Sequence, residues 1–174
     1  MSFDGNPFDQ LKLESGDELC YLGQKRILTV IREERRFAKA KCIADRLLLW
    51  VPYEADYEMK REQLGRWYRK EALTVFTQKA SEYAKMLDVT FNEVHIKDQR
   101  SCWGSCSSKK NLNFNWRILM APEPVCDYVI IHEVCHLVHM DHSPAFWDLV
   151  ERFCPDYRKH KKWLKEYTEL LYLF

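Results

Sequence analysis

Between Val129 and Trp147 the chain reads VIIHEVCHLVHMDHSPAFW, which sets four histidines and a glutamate in a stretch that otherwise has the character of a buried helix and the turn after it. His132 and His136 stand four apart. On a helix they share one face, about 6 Å apart along the axis at ~1.5 Å rise per residue. Two imidazoles so placed can grip one zinc ion, whose bonds to histidine nitrogen are ~2.0–2.1 Å long. Glu133 adjoins the first histidine and can lean toward a metal-activated water without ligating the ion. The pattern is HExxH, the pairing of two ligands with a general base.

A hydrolytic zinc site takes three protein ligands and keeps its fourth position open, so one more ligand is required. His139 lies on the same helical face, but a third ligand further along one helix forms a row instead of closing a tetrahedron. His142 is better placed if the chain turns back after Met140. That turn is expected to need a left-handed residue near His139 or Asp141, a conformation His and Asp enter more readily than most. His132, His136 and His142 are therefore the expected metal ligands, with Glu151 on the next predicted helix as the rival third ligand. His139, His95 and His160 are read as ordinary hydrogen-bonded histidines.

Elements must hold these residues. From Arg26 to Pro52, ILTVI, FAKAKCI and RLLLWVP read as strands of a small antiparallel sheet. From about Tyr53 to Leu87 apolar residues recur at three- and four-residue steps, the period of a long helix, with Gly65 inside it. VTFNEVHIKD then reads as a strand, SCWGSCSSKKN as a loop and LNFNWRILM as a second strand. In that second strand Leu112, Phe114, Trp116 and Ile118 share one face, and Asn111, Asn113, Asn115 and Arg117 the other. Pro122 and Pro124 announce the HExxH helix, expected to reach Met140, and Ser143-Pro144 and Pro155-Asp156 announce two more. Residues 1–174 are read as a single α+β domain, β-rich over 1–52 and helical and catalytic over 53–174.

Composition limits the function classes. The 174 residues carry a formal charge of +1, which removes strong overall attraction to nucleic acid or to an anionic membrane. No apolar run has the length of a membrane span. The opening MSFDGNPFDQ lacks the basic and apolar regions of a secretion signal, and seven cysteines without framework spacing suit a reducing compartment, so a cytoplasmic protein is expected. Cys102 and Cys106 form a C-x3-C pair that is a weak metal signal and is read as packing a turn. Cys135 is read as a small buried hydrophobe, Asp148 as an exposed aspartate, and Phe146, Trp147 and Phe153 as aromatics facing the core. The basic run RKHKK, Arg158 to Lys162, is read as a solvated helix face, with phosphate contact as the competing role.

The stretch RSCWGSCSSKKNLNFNWRILMAPEPVCDYVIIHEVCHLVHMDHSPAFW resembles the YgjP-like metallopeptidase family: a WGSC turn, an LNW-type strand, then HELCH, NHS and FW. Val134 stands for the usual leucine, Asp141 for asparagine and Lys110 for a frequent glycine. The resemblance implies a zincin-like α+β fold related to SprT-like proteases. It also implies zinc on His132, His136 and His142, with Glu133 as the base. Zinc held by neutral imidazoles can bring the pKa of water toward ~7, and Glu133 can take its proton as the water attacks a carbonyl. A peptide or protein substrate is expected, aligned by the Leu112 to Met120 strand if that strand is a sheet edge, with Asn113, Asn115 and Arg117 near the cleft. Tyr157 and Arg100 are candidate oxyanion stabilisers. A nucleotide pyrophosphatase and a non-catalytic zinc-stabilised binding module are the competing readings. The first lacks a glycine-rich phosphate cradle, and the second has no need of Glu133.

Overall fold

The computed structural model describes residues 11–172. The opening decapeptide, on which the absence of a secretion signal was read, lies outside the described residues. Four strands, β1 (Glu18–Tyr21), β2 (Gln24–Arg32), β3 (Lys39–Ile43) and β4 (Arg46–Val51), form one sheet in the order β1-β2-β4-β3. The long helix α1 (Tyr57–Met86) follows. A second sheet has the order β5-β7-β6, from β5 (Val94–Lys97), β6 (Gly104–Cys106) and β7 (Leu112–Asn115). A 3-10 turn (Trp116–Met120) leads into α2 (Glu123–Cys135), α3 (Pro144–Phe153) and α4 (Tyr157–Leu171).

The first sheet is mixed, which corrects the antiparallel expectation: β1/β2 and β3/β4 are antiparallel, but β2 and β4 run parallel. Chain direction alternates from β2 through β3 to β4, so a simple meander would be antiparallel throughout. Here β4 takes the inner place, because its Leu47, Leu49 and Val51 are buried. The lysine-bearing β3 is left at the edge, where exposed charge discourages further pairing. The β1-β2 hairpin, absent from the sequence reading, turns at Leu22 (φ 48) and Gly23 (φ 72). Its tip is pinned by the Leu22 N–H donating to the Leu119 carbonyl at 2.6 Å. A side chain at position 23 would meet the Pro122 Cα at 2.7 Å, so glycine lets this hairpin dock at the start of α2.

Asp56 caps α1, its carboxylate accepting from the Met59 N–H at 2.8 Å. Leu64, Tyr68, Ala72, Phe76, Ala80 and Ala84 are buried at four-residue steps, and the small residues in that stripe let neighbouring elements approach closely. The helix contacts both sheets, the 3-10 turn and α2. By contrast α2 is buried on nearly every side, from Val125 and Cys126 through Ile130, Ile131, Val134 and Cys135, as expected of an apolar helix inside a core. Among the described residues no helix is long and apolar enough to cross a membrane.

The expected strand LNFNWRILM ends at Asn115. There the side-chain oxygen accepts from the Arg117 N–H at 3.0 Å and starts the 3-10 turn, so Trp116 and Ile118 are buried from a helical turn and not from an alternating strand. The expected loop SCWGSC contributes β6, paired antiparallel to β7, while β5 pairs parallel to β7. It is therefore β6, and not the Leu112 strand, that lies at the sheet edge beside α2.

Candidate metal centre

The helix α2 stops at Cys135, earlier than the expected Met140, with His136 as its C-cap. The next turn is tight: the Val138 and His139 N–H groups both donate to the Cys135 carbonyl at 3.0 Å. No left-handed residue is needed; among the described residues the non-glycine residues of positive φ are Leu13, Leu22, Ala44, Asp88 and Lys110. The return is made by side chains. Asp141 accepts from the Ser143 N–H at 3.2 Å, and Ser143 caps α3 by accepting from the Phe146 N–H at 3.4 Å. This brings His142 back over the end of α2.

The ring nitrogens of His132, His136 and His142 all lie within 4.8 Å of one another, the only such metal-capable group among the described residues. The His132 Nε2 stands 3.3 Å from that of His136 and 3.2 Å from that of His142. Two nitrogens bound at ~2.0–2.1 Å in a tetrahedron are separated by about 3.3–3.4 Å, so the spacing fits one shared cation. The donor chemistry fits as well. His136 turns its Nδ1 to the His139 carbonyl at 2.9 Å, which fixes the proton there and leaves Nε2 bare, an orientation typical of a ligand histidine. His139 thus contributes its backbone, and its ring stays outside the cluster. The His132 Nδ1 is buried without a hydrogen-bond partner.

Aromatic rings fix the imidazoles. Phe146, fully buried, stacks on His136 with centroids 4.3 Å apart and meets His132 and His142 edge-on at 4.9 and 5.0 Å. Trp147 stacks on His142 at 5.6 Å and on Tyr157 at 5.3 Å. Phe146 and Trp147 are therefore the walls of the histidine cluster, a role beyond core filling. Desolvation and the neighbouring His136 and His142 push the His132 pKa down to about 3. His136 is lowered too, mainly by burial. Both rings are thus biased to the neutral form that a metal needs.

Glu133 is buried, and burial pushes its carboxyl up to about 8. Its neighbour is Gly104 on β6. A Cβ at position 104 would lie 2.7 Å from the Glu133 Cγ and Oε1, so only glycine leaves the carboxyl its place. This glycine is the one in the WGSC motif. Asn115 holds the same strand: its N–H donates to the Trp103 carbonyl at 2.8 Å, and its Nδ2 to the Gln99 carbonyl at 2.6 Å.

A cavity of about 330 Å³ opens beside the site, lined by Trp103, Gly104, Tyr128, Val129, His132, Glu133, Lys161, Leu164, Lys165 and Thr168. Several expected residues do not line it. Asn113 bonds to Ser105, and Arg117 is buried and paired with Asp98. Tyr157 is stacked under Trp147, and Arg100 lies over Tyr172. Glu151, the rival third ligand, pairs with Arg158 at 2.6 Å. Cys102 is exposed, and neither it nor Cys106 joins a metal-capable group among the described residues. Cys135 is buried and its thiol is raised to about 12, so it packs as a neutral hydrophobe.

The YgjP-like metallopeptidase domain matches residues 4–167 of this chain. The chain belongs to the YgjP-like metallopeptidase family. As a member it is a metallopeptidase, a hydrolase with a resident metal ion. Among solved structures, the metallopeptidase zymogen abylysin of Pyrococcus abyssi is similar at 19% identity and a TM-score of 0.47, over 52% of this chain and 93% of that one. The metallopeptidase zymogen jannalysin of Methanocaldococcus jannaschii gives 20% identity and a TM-score of 0.44, over 52% and 95%. No curated protein gives a significant sequence match.

Proposed function

We propose that this YgjP-like protein is a zinc-dependent peptidase in which His132, His136 and His142 hold the metal and Glu133 is the general base. The observation that carries this reading is a desolvated carboxylate and three converging imidazoles in one corner, with Glu133 and His132 both lining the adjoining cavity. An all-nitrogen donor set of three histidines favours zinc among the common hydrolytic ions. When bound, the ion supplies a Lewis acid for the scissile carbonyl and lowers the pKa of water.

The chain's own residues do the rest. Burial raises the proton affinity of the Glu133 carboxylate, so it can accept a proton from water and later deliver it to the departing amine. Gly104 keeps its carboxyl in position. The edge strand β6 offers unpaired backbone groups to which an extended peptide can add as a further strand. The seven free thiols fit a reducing compartment such as the cytoplasm.

The test compares wild type and Glu133→Gln, each reconstituted with zinc and assayed for bound metal, against unfolded protein and nucleoside triphosphates. Wild type is expected to cleave the protein. The variant should keep its zinc while turnover drops about 10²–10⁴-fold, the range for loss of a general base. Turnover of triphosphates without proteolysis, or an undiminished variant, would overturn the reading.

A further inference from the structure

The helix α4 carries five basic residues, and they divide by face. Arg158 pairs with Glu151, Lys159 with Asp156 and Lys162 with Glu166, at 2.6, 2.8 and 3.5 Å. Lys161 and Lys165 have no carboxylate partner among the described residues, and both line the cavity beside His132 and Glu133. They stand one turn apart with Leu164 between them, so this side of α4 lends an apolar wall and two lysine side chains to the same space. Lys161 is held with its Nζ 4.8 Å from the Trp147 ring centre, and Trp147 is itself stacked on His142. One of the two cations is thereby tethered to the histidine cluster.

We propose that Lys161 and Lys165 select a carboxylate on the substrate residue next to the scissile bond, making this peptidase prefer an acidic residue there. The inference rests on the peptidase reading above. Tyr128, Val129 and Leu164 supply apolar walls for the methylenes of a glutamate, and a cavity of about 330 Å³ is ample for one such side chain. Among the described residues Glu133 is the only carboxylate in the lining, and as the base it sits at the metal end of the space. The basic residues of α4 therefore serve two purposes: Arg158, Lys159 and Lys162 neutralise neighbouring carboxylates, while Lys161 and Lys165 face the substrate. A free C-terminal carboxylate has the same chemistry as a glutamate side chain, so the two sources must be separated by experiment.

Matched internally quenched peptides carrying Glu, Gln or Lys at each position in turn, with amidated or free C-termini, are assayed on the zinc-loaded wild type. Their binding to zinc-loaded Glu133→Gln is measured by fluorescence anisotropy. Glu is expected to exceed Gln by about tenfold in both kcat/KM and affinity, the effect of roughly two exposed ion pairs. The preference should shrink as salt rises. In Lys161→Ala/Lys165→Ala the Glu-to-Gln ratio should fall to about one, and in Lys161→Glu/Lys165→Glu it should invert in favour of Lys. Dependence on a free C-terminus instead of an internal Glu assigns the lysines to the terminal carboxylate. Cleavage indifferent to charge, or a preference that survives both double variants, overturns the inference while leaving the peptidase intact. If no peptide is cleaved at all, the function itself fails. Should a double variant not fold, the salt dependence of the wild-type ratio decides, and a salt-independent ratio counts against the lysines.

Discussion

Two helices of the same core, α1 and α2, place particular carboxylates in opposite surroundings. On α1 only one stripe is buried, and Glu58 and Glu62 sit in solvent beside Arg61 and Arg66, where an ion pair contributes little. On α2 nearly every face is covered, and Glu133 is taken out of water without a neutralising ion pair, beside a half-buried His132. The same carboxylate chemistry therefore gives a surface ornament on one helix and a strong proton acceptor on the other. What differs is desolvation, supplied for α2 by α1, β6, α3 and α4 together.

Each helix also has a glycine beside it or within it, and these glycines give the sharpest way to break the comparison. Gly104→Ala should be the more damaging. Its methyl group would press on the Glu133 carboxyl, and no unusual backbone angle complicates the result. We expect metal content to hold and peptide turnover to fall about 100-fold, the scale of a 1 Å misplacement of a catalytic group. Metal analysis alongside kcat/KM checks it, and a variant as active as wild type would show that Glu133 needs no such clearance.

An intermediate effect is expected from pH on metal-free protein. The Glu133 carboxyl moves from its ordinary 4.5 up to about 8, so its contribution to stability is full below pH 4.5 and is lost as pH rises toward 8. His132 moves from 6.5 down to about 3. Its contribution is full above pH 6.5 and is lost as pH falls toward 3, because the unfolded chain takes the proton first. Chelated protein should therefore show a stability plateau between 4.5 and 6.5 and decline on both sides. Urea midpoints at about pH 4, 5.5 and 8 measure it, using the burial-driven shifts cited above. Glu133→Gln should abolish most of the alkaline decline and leave the acid limb, and an unchanged alkaline limb would contradict the assignment.

The smallest effect is expected at Gly65, in the middle of α1. An added Cβ there meets only the end of the flexible Arg69 side chain, at 3.0 Å. Gly65→Ala should leave activity alone and raise stability by about 0.5–1 kcal/mol, the usual gain on replacing a helical glycine. A thermal melt suffices, and a destabilised variant would mean that Arg69 is less free to move than its exposure implies.

The elements that were legible in the sequence are those whose partners are local. The period of α1 and the proline and serine starts of α2 and α3 are local patterns, and the structure shows each where expected; the HExxH pair is local too, although His136 caps α2 instead of lying within it. Where α2 ends was not legible. The turn after His136 is closed by backbone bonds to Cys135 and by the Asp141 and Ser143 side chains, and it has no glycine to announce it. The partition of the strands was equally hidden. The inner place of β4, the capture of β6 as an edge and the conversion of Trp116–Met120 into a 3-10 turn depend on competition among distant segments for the same buried space.

The residue types by themselves determined which chemistry is on offer: imidazoles at a spacing that can share a cation, and a carboxylate placed to work beside them. Only the tertiary structure decided what surrounds those groups. It set Phe146 and Trp147 against the imidazoles, cleared a space for Glu133 at Gly104, and turned two of five basic residues on α4 toward the cavity. The physical reason is that the spacing of His132 and His136 follows from one helical turn, whereas the return of His142, the desolvation and the shape belong to all the elements packed around it.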